Sequence, residues 1–186
     1  MLPVEQARQS AQSLVEAARA AGADAADAVY IGSESQSVQV RLGELEHVER
    51  SEGEEIGLRV FVGSQSASVA TSDFSTEALS ALVERAVAMA REAPEDPFAG
   101  LASPELIASG PFPDIDAEGL DRADPEALQT RALAAEKAAL AVPGVTNSSG
   151  GSAGTSASTM ALATSTGFSG AYRATGHSNS DGASPE

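Results

Sequence analysis

Residues 43–75, GELEHVERSEGEEIGLRVFVGSQSASVATSDFS, decide the fold. Apolar residues alternate with polar ones here, which is typical of half-buried strands. Gly43-Glu44 predicts a turn, Gly53 predicts a break between two strands, and Gly63 predicts a second turn. Short linkers of this kind favour an antiparallel meander. The predicted strands cover residues 35–42, 45–51, 56–62 and 66–72.

The segments on either side predict helices packed on that meander. Residues 3–21 and 76–92 each carry apolar residues at three- and four-residue spacing, which makes one buried stripe per helix. A further strand is predicted at 25–32, with Val29 and Ile31 on one face. Helices and strands of this arrangement indicate an α/β domain of the α+β type.

A connection and a third helix complete the first predicted domain, residues 1–143. Residues 94–124 contain five prolines, Pro111 among them, and predict a long ordered connection or a linker. Asp124-Pro125 is a strong helix start, because aspartate caps a helix and proline suits its first turn. We expect this helix to run to about Ala141.

The second predicted segment, residues 144–186, is rich in Ser, Thr and Gly. Such a composition is typical of a flexible linker. Met160 and Leu162 alternate with small residues, however, and this favours strands at 156–164 and 168–175. We expect residues 178–186 to fray. The fold class predicted is α/β (α+β), with a mostly antiparallel sheet packed with about three helices.

Charge and composition exclude several functions. The chain of 186 residues has 27 acidic and 11 basic side chains, a formal net charge of −16. That charge argues against direct binding to nucleic acid and to anionic membranes, which needs an excess of Lys and Arg. The chain has no cysteine and no apolar run that could span a bilayer. Its first residues, MLPVEQARQS, have neither the basic nor the apolar region of a signal peptide, so we expect none. We therefore expect a cytoplasmic protein with no membrane contact.

The sequence offers no convincing catalytic or metal-binding motif. Its two histidines, His47 and His177, form no HExxH pair that would hold zinc. Residues 150–154 match the GxSxG pattern of a hydrolase nucleophile, but residues 153–176 contain no Asp or Glu for a triad, and a β-like run follows. The glutamates between residues 44 and 55 indicate a solvated face.

Several segments, taken together, resemble the N-terminal part of the TldD/PmbA family. The likeness covers nearly the whole chain, and the segment GFSGAYR at 167–173 resembles the PmbA (TldE) branch more than the TldD branch. The other matching segments are AGADAADA (21–28), VQVRLGELEHVERSE (38–52), IGLRVFVG (56–63), SVATSDFSTEAL (68–79), VERAVAMAREAPEDPFAGL (83–101) and VTNSSG (145–150).

The resemblance implies a TldD/PmbA-type N-terminal domain that ends before the C-terminal domain of the family. A PmbA-type subunit lacks the zinc motif HExxxH and pairs with a TldD-type zinc metallopeptidase that acts on unfolded peptides. The family is linked to maturation of peptide antibiotics and degradation of an antitoxin, and is also called a modulator of DNA gyrase. The expected partners are a TldD-like subunit or a second copy, with a peptide as substrate.

The resemblance also sets expectations about chemistry. Zinc is expected only in a TldD-like partner, with no cofactor in this chain, and whether the chain is part of an enzyme stays open. A fragment of a catalytic TldD-like metallopeptidase and a free-standing acidic binding module are the alternatives. No catalytic residue can be assigned. The family-motif residues, expected to have a structural or interface role, are Gly57, Arg59, Gly63, Gly167, Phe168, Gly170, Tyr172 and Arg173.

Overall fold

A computed structural model describes residues 1–110, 112–119 and 123–184. Within them, five strands form one sheet in the order β3-β2-β1-β4-β5. The predicted α+β fold with three helices is confirmed. The elements are α1 (Val4–Ala20), β1 (Ala25–Arg41), β2 (Glu44–Val62), β3 (Gln65–Thr71), α2 (Thr76–Glu92), a 3-10 turn (Pro104–Leu106), α3 (Pro125–Leu140), β4 (Asn147–Thr164) and β5 (Ser169–Ser184).

Helices α2 and α3 begin at the capping residues that the sequence predicts. The side chain of Ser75 accepts a hydrogen bond from the N–H of Ala78 at 3.3 Å, and that of Asp124 accepts one from Ala127 at 2.8 Å. Each cap satisfies a backbone donor that the first helical turn leaves free. Among the described residues, no helix is long and apolar enough to cross a membrane.

Glycine at position 53 does not break a strand, so the prediction of separate strands at 45–51 and 56–62 is wrong. β2 runs without interruption from Glu44 to Val62. Gly53 is exposed, and a Cβ there would touch nothing within 4 Å. The position therefore tolerates glycine without requiring it, and the strand continues through it. The predicted strands 25–32 and 35–42 likewise form the single strand β1.

The turn between β1 and β2 lies one residue earlier than predicted. Leu42 and Gly43 occupy it with φ angles of 50° and 85°. Two consecutive positive φ angles are characteristic of the type I′ turn that suits a two-residue hairpin. The prediction of Gly43-Glu44 was wrong because the glycine sits at the second turn position rather than the first.

The more buried face of β1 is the one opposite Val29 and Ile31. Ala26, Ala28 and Tyr30 are fully buried, whereas Ile31 is 48% exposed and Val29 is half-buried. The alanines of β1 allow the helices to pack closely on this strand, because small side chains permit a close approach. The neighbouring strand β2 turns larger residues, Ile56 and Val60 among them, toward the same core.

The Ser/Thr/Gly-rich segment forms two long strands, so the linker alternative is wrong. β4 contains the predicted strand 156–164 and extends beyond it at its start. β5 begins at Ser169, one residue after the predicted start of the strand 168–175, and extends further to Ser184. The predicted frayed end is wrong as far as Ser184, since β5 reaches that residue. Pro185 and Glu186 lie outside the described residues, as do Pro111 and residues 120–122 of the connection.

The chain divides into two compact units. The first comprises Met1–Gly32, Gly53–Ile115 and Thr159–Arg173. Its core packs α1 and α2 on the sheet. The larger buried side chains of this core are Leu14, Val15, Tyr30, Ile56, Leu58, Val60, Leu82, Val83 and Val87.

The second unit comprises Ser33–Glu52, Asp116–Ser158 and Ala174–Glu186. Its smaller core packs Leu128 and Ala132 of α3 against Val38 and Val40 of β1 and Ala153 of β4. Composition predicted two segments that follow each other along the chain, 1–143 and 144–186. The domain boundary at residue 143 stays a prediction.

Candidate functional site

The face of the first unit that points away from α1 and α2 carries the candidate site. We call it the outer face. Side chains alternate along a strand, and the residues between the outer-face positions, such as Ala28, Leu58 and Ala163, belong to the helix-facing core. The outer face is defined by Asp27, Val29, Gly57, Arg59, Leu162 and Thr164.

An ion pair with a buried carboxylate and an exposed guanidinium lies on the outer face. Asp27 is 8% exposed, and its carboxylate accepts hydrogen bonds from Arg59 Nε at 3.0 Å and from Arg59 Nη2. The Arg59 guanidinium also lies over the ring of Phe61, 5.2 Å from the ring centre, a cation–π arrangement. Because two of its nitrogens contact Asp27, the guanidinium is held in a fixed orientation while its side chain stays 48% exposed.

A cleft of about 360 Å³ opens beside this ion pair. Arg59, Leu162 and Phe168 line it together with two stretches of the connection, 100–102 and 107–108. Phe168 in turn meets Phe112 edge to face, with ring centres 6.0 Å apart. A volume of this size with mostly apolar walls and a few fixed polar groups is typical of a binding site.

The structure thus brings together family-motif residues that are distant in the sequence. Gly57 and Arg59 are on the outer face, and Phe168 reaches the same cleft as Arg59. Gly170 lies against the Phe168 ring, because a Cβ at Gly170 would come within 3.0 Å of Phe168 Cζ. The hydroxyl of Tyr172 lies 3.5 Å from the sulfur of Met160. Arg173, in β5, is half-buried.

Two family-motif glycines shape turns instead. Gly63 and Gly167 have φ angles of 58° and 103°, which favour glycine. The N–H of Gly63 also donates to Asp24 Oδ2 at 2.7 Å. Gly167 orients Phe168, whose N–H donates to Thr164 Oγ1 at 3.1 Å. The expectation of a structural or interface role for all eight motif residues stays a prediction.

Sequence reasoning missed Asp27, the buried half of the ion pair. It lies in the segment AGADAADA, where the alanines predict a small-residue element and nothing marks one of two aspartates as buried. Period-two alternation would have placed Asp27 on the face opposite Ala26 and Ala28. A charge of opposite sign in the neighbouring strand, Arg59, was the signal available.

The second unit contains another buried carboxylate that sequence reasoning did not select. Glu136 of α3 is 2% exposed, and its two oxygens accept hydrogen bonds from the N–H groups of Leu42 at 2.8 Å and Gly43 at 2.9 Å. Burial alone would raise the pKa of Glu136, but these donors, with Ser148 and Arg41, outweigh it and lower the pKa. Glu136 therefore fixes the β1–β2 turn as a charged group.

A third buried polar group lies at the first residues of the chain. Tyr30, fully buried, accepts a hydrogen bond from the N–H of Leu2 at 2.7 Å and donates one to Glu54 at 2.8 Å. Burial raises the pKa of Tyr30 to about 12, and the bond to Glu54 adds to the rise, while the Leu2 N–H opposes it. This cluster anchors the start of α1 to the sheet.

The two histidines and the GxSxG match form no catalytic or metal site among the described residues. His47 is exposed on β2, and His177 is exposed on β5. Residues 150–154 lie inside strand β4, so the strand-to-helix turn that a nucleophile elbow needs is not formed there. Over the ranges 1–110, 112–119 and 123–184, no group of three His, Asp or Glu side chains could hold a metal ion. The expectation of no cofactor in this chain stays a prediction.

Comparison with known proteins identifies the fold and the family. A family model described as PmbA/TldA metallopeptidase domain 1 matches residues 26–90. The Metalloprotease PmbA homolog of Haemophilus influenzae is 37% identical over 149 residues, 80% of this chain. The chain carries the first domain of the PmbA/TldD family. Metalloprotease PmbA of Escherichia coli O157:H7 is 32% identical over 83% of the chain.

A solved structure from Bacteroides thetaiotaomicron, described as a modulator of DNA gyrase, has the fold of this PmbA/TldD domain. It superposes with a TM-score of 0.86 at 21% identity, and the match covers 97% of this chain and 41% of that one. The chain spans about a third of the length of the curated relatives it matches, 33% and 34%. The two curated matches carry the PmbA name.

Proposed function

We propose that the chain is the N-terminal domain of a PmbA/TldE-like subunit that performs no catalysis itself and pairs with a TldD-like zinc metallopeptidase acting on unfolded peptides. The observation that supports this proposal is the cleft on the outer face, which Asp27 lines together with two family-motif residues, Arg59 and Phe168. A fixed guanidinium between apolar walls is suited to binding a protein surface or a peptide.

The proposal assigns the metal and the peptide bond cleavage to the partner. The names of the curated relatives include the word metalloprotease. Which of the two subunits binds the metal and cleaves the peptide therefore has to be tested directly. Zinc belongs, in this proposal, to the TldD-like subunit. The substrates are then those expected of the family: precursors of peptide antibiotics and an antitoxin. A cytoplasmic location follows from this role.

The charge of the chain supports a protein or peptide partner. A net charge of −16 disfavours direct contact with DNA. Any effect on DNA gyrase would therefore come from a protein–protein contact and not from binding to DNA. The same charge favours one other candidate function, a free-standing acidic module that binds basic peptides. Its binding would weaken steeply as salt rises, whereas binding in an apolar cleft would change little.

The test measures binding of the chain to a TldD-like subunit from the same organism by isothermal titration calorimetry. Arg59→Ala should weaken the complex at least tenfold, because Arg59 is the fixed charged group of the cleft. Arg50→Ala is the matched control: it removes the same charge from an exposed position, where the Arg50 side chain is 70% exposed, and should leave the affinity unchanged. Thermal unfolding of each variant checks that lost binding is not lost folding.

Two results would overturn the proposal. One is stoichiometric zinc binding together with peptide cleavage by the chain alone, which would favour a fragment of a catalytic TldD-like enzyme. A coding sequence for HExxxH downstream of this region would support that reading. The other is the absence of any complex with the TldD-like subunit at all salt concentrations.

A further inference from the structure

Arg59 turns one edge of its guanidinium toward Asp27 and leaves the other end free. The Asp27 carboxylate accepts hydrogen bonds from Nε at 3.0 Å and from Nη2. The guanidinium has further N–H groups on Nη1 and Nη2, which spread outward in the same plane. Within the described part of the chain, no residue accepts a hydrogen bond from these groups. Because the Arg59 side chain is 48% exposed, they are accessible to a ligand.

The free end of the guanidinium is suited to a carboxylate. Its two nitrogens present parallel N–H groups, which match the two oxygens of a carboxylate. Asp27 and Arg59 are the only charged side chains among the described residues that line the cleft. A bound carboxylate would therefore share one cation with Asp27. We expect a modest affinity for that reason, because the negative charge of Asp27 opposes a second negative charge.

The walls of the cleft are suited to an apolar group. Leu101, Ile107, Leu162 and Phe168 line it, and each of them is half-buried. The hydroxyls of Thr164 and Thr166 also lie in the lining, but they are hydrogen-bonded to each other at 3.0 Å. An apolar side chain that enters the cleft would leave water without displacing a needed polar partner. The cleft thus favours a carboxylate that lies close to an apolar group.

The last residue of a peptide carries both groups on one carbon atom. A volume of about 360 Å³ is at the lower end of the range for ligand pockets, so the cleft admits the end of a chain and not a folded surface. An internal Asp or Glu places its carboxylate on the side chain, and the backbone has to continue in both directions.

We propose that the cleft binds the C-terminal residue of a peptide, with its carboxylate on Arg59 and its apolar side chain between Leu101, Ile107, Leu162 and Phe168. The inference rests on the proposed function, because its ligand is the unfolded peptide of that proposal. It adds which end of the peptide this chain holds and which class of residue stands there. Arg59 selects the free carboxylate, and the walls select the apolar side chain.

Isothermal titration calorimetry with short peptides tests the two requirements separately. Acetyl-Ser-Gly-Ser-Leu with a free carboxylate should bind at least fivefold more tightly than the same peptide with a C-terminal amide, because the amide removes the charge-assisted hydrogen bonds. Acetyl-Ser-Gly-Ser-Ser, also with a free carboxylate, should bind at least fivefold more weakly than the leucine peptide. Acetyl-Ser-Glu-Leu-Ser amide, which carries its carboxylate on a side chain, should bind no better than the leucine amide.

Three results of these titrations would overturn the proposal. The first is equal affinity for the free carboxylate and the amide. The second is an internal glutamate that binds as tightly as the free chain end. The third is the absence of binding at millimolar concentrations of the leucine peptide.

Substitutions of the ion pair show whether Arg59 is the group that reads the carboxylate. Arg59→Ala should abolish the preference for the acid over the amide, whereas Arg50→Ala, at a side chain that is 70% exposed, should keep it. Asp27→Asn retains an oxygen that can accept from Arg59 and removes the negative charge, so it should tighten binding of the acid and leave the amide unchanged. An acid preference that survives Arg59→Ala contradicts the proposal. Thermal unfolding of each variant confirms that it is folded.

A pair of phenylalanines tests the apolar walls. Phe168→Ala should weaken binding of the leucine peptide at least threefold and keep its preference for the free carboxylate. Phe98→Ala is the matched control, because Phe98 is 93% exposed and is not among the residues that line the cleft. If both substitutions have the same effect, the leucine side chain does not bind where we place it.

The titrations use the chain alone, because the proposed function also assigns Arg59 to the contact with the TldD-like subunit. The two proposals can therefore fail separately. If that subunit binds the chain but the acid and the amide bind alike, only the present inference is wrong. If the chain prefers the free carboxylate but forms no complex with the subunit, only the proposed function is wrong.

Discussion

Glu136 accepts a hydrogen bond from the backbone N–H of Gly43 at 2.9 Å, although the two residues are 93 positions apart. With the bond from Leu42, the carboxylate satisfies both N–H groups of the hairpin turn. Removing a buried acceptor leaves its donors without partners, which costs about 1–3 kcal/mol each.

Glu136→Ala should therefore lower the free energy of unfolding by about 2–4 kcal/mol, and Glu136→Gln by less, because its amide oxygen can still accept. Urea denaturation measures the change. Lys137→Ala, at the neighbouring exposed position of α3, is the control and should change stability by less than about 0.5 kcal/mol. Equal stability of the alanine variant and the parent would show that the turn does not depend on Glu136.

The same turn can be improved. Leu42 is 62% exposed and holds a φ of 50°, which costs a branched residue energy that asparagine largely avoids. Leu42→Asn creates the Asn-Gly pair preferred in type I′ turns. We expect a gain of about 0.5–1 kcal/mol, measured by thermal unfolding. A loss of stability would mean that the Leu42 side chain makes a favourable contact.

Tyr30 should make stability depend on alkaline pH. Its pKa in the folded chain is raised from 10.0 to about 12. The unfolded chain then releases the phenol proton at lower pH than the folded chain, so stability is intact below pH 10 and falls as pH rises toward 12.

The difference in unfolding free energy between the parent and Tyr30→Phe isolates this contribution. This difference in unfolding free energy should shrink by an amount on the order of 2 kcal/mol between about pH 10 and pH 12. Tyr172→Phe, which removes a hydroxyl from a side chain that is 51% exposed, is the control. A difference that is constant with pH would contradict the buried position of the phenol.

Two glycines within long strands should respond oppositely to alanine. A Cβ at Gly151 would overlap the carbonyl oxygen of Ala132 and come within 3.1 Å of Glu136 Cβ, whereas a Cβ at Gly53 meets nothing within 4 Å. Gly151→Ala should destabilise by about 1–3 kcal/mol. Gly53→Ala should stabilise by about 0.5–1 kcal/mol, as chemical denaturation of the pair will show. Destabilisation by Gly53→Ala would indicate a local bend in β2.

Local patterns were sufficient for the helices and for the existence of the strands. The stripes of α1 and α2, the caps at Ser75 and Asp124, and the alternation around Met160 are all short-range signals. Strand continuity was not predictable in the same way. Gly53 interrupts the alternation of apolar and polar residues in β2. The strand continues through Gly53 because pairing in the sheet depends on residues that are distant in the sequence.

The candidate site was partly predictable. Arg59 and Phe168 were selected through the family resemblance, and the structure places them in one cleft. Asp27 and Glu136 were missed because burial of a carboxylate depends on partners that are distant in the sequence: 32 residues away for Arg59 and 93 or 94 for the β1–β2 turn. Single-sequence patterns carry no information about such pairs.

The two compact units are each assembled from three separated stretches of chain, and β1, β2, β4 and β5 contribute residues to both. Neither unit can be obtained by cutting the gene at one place. A fragment that stops at residue 143 would lack β4 and β5 altogether and leave β1 with an exposed edge. Any exchange of this module between proteins, by recombination or in the laboratory, therefore has to transfer it in one piece.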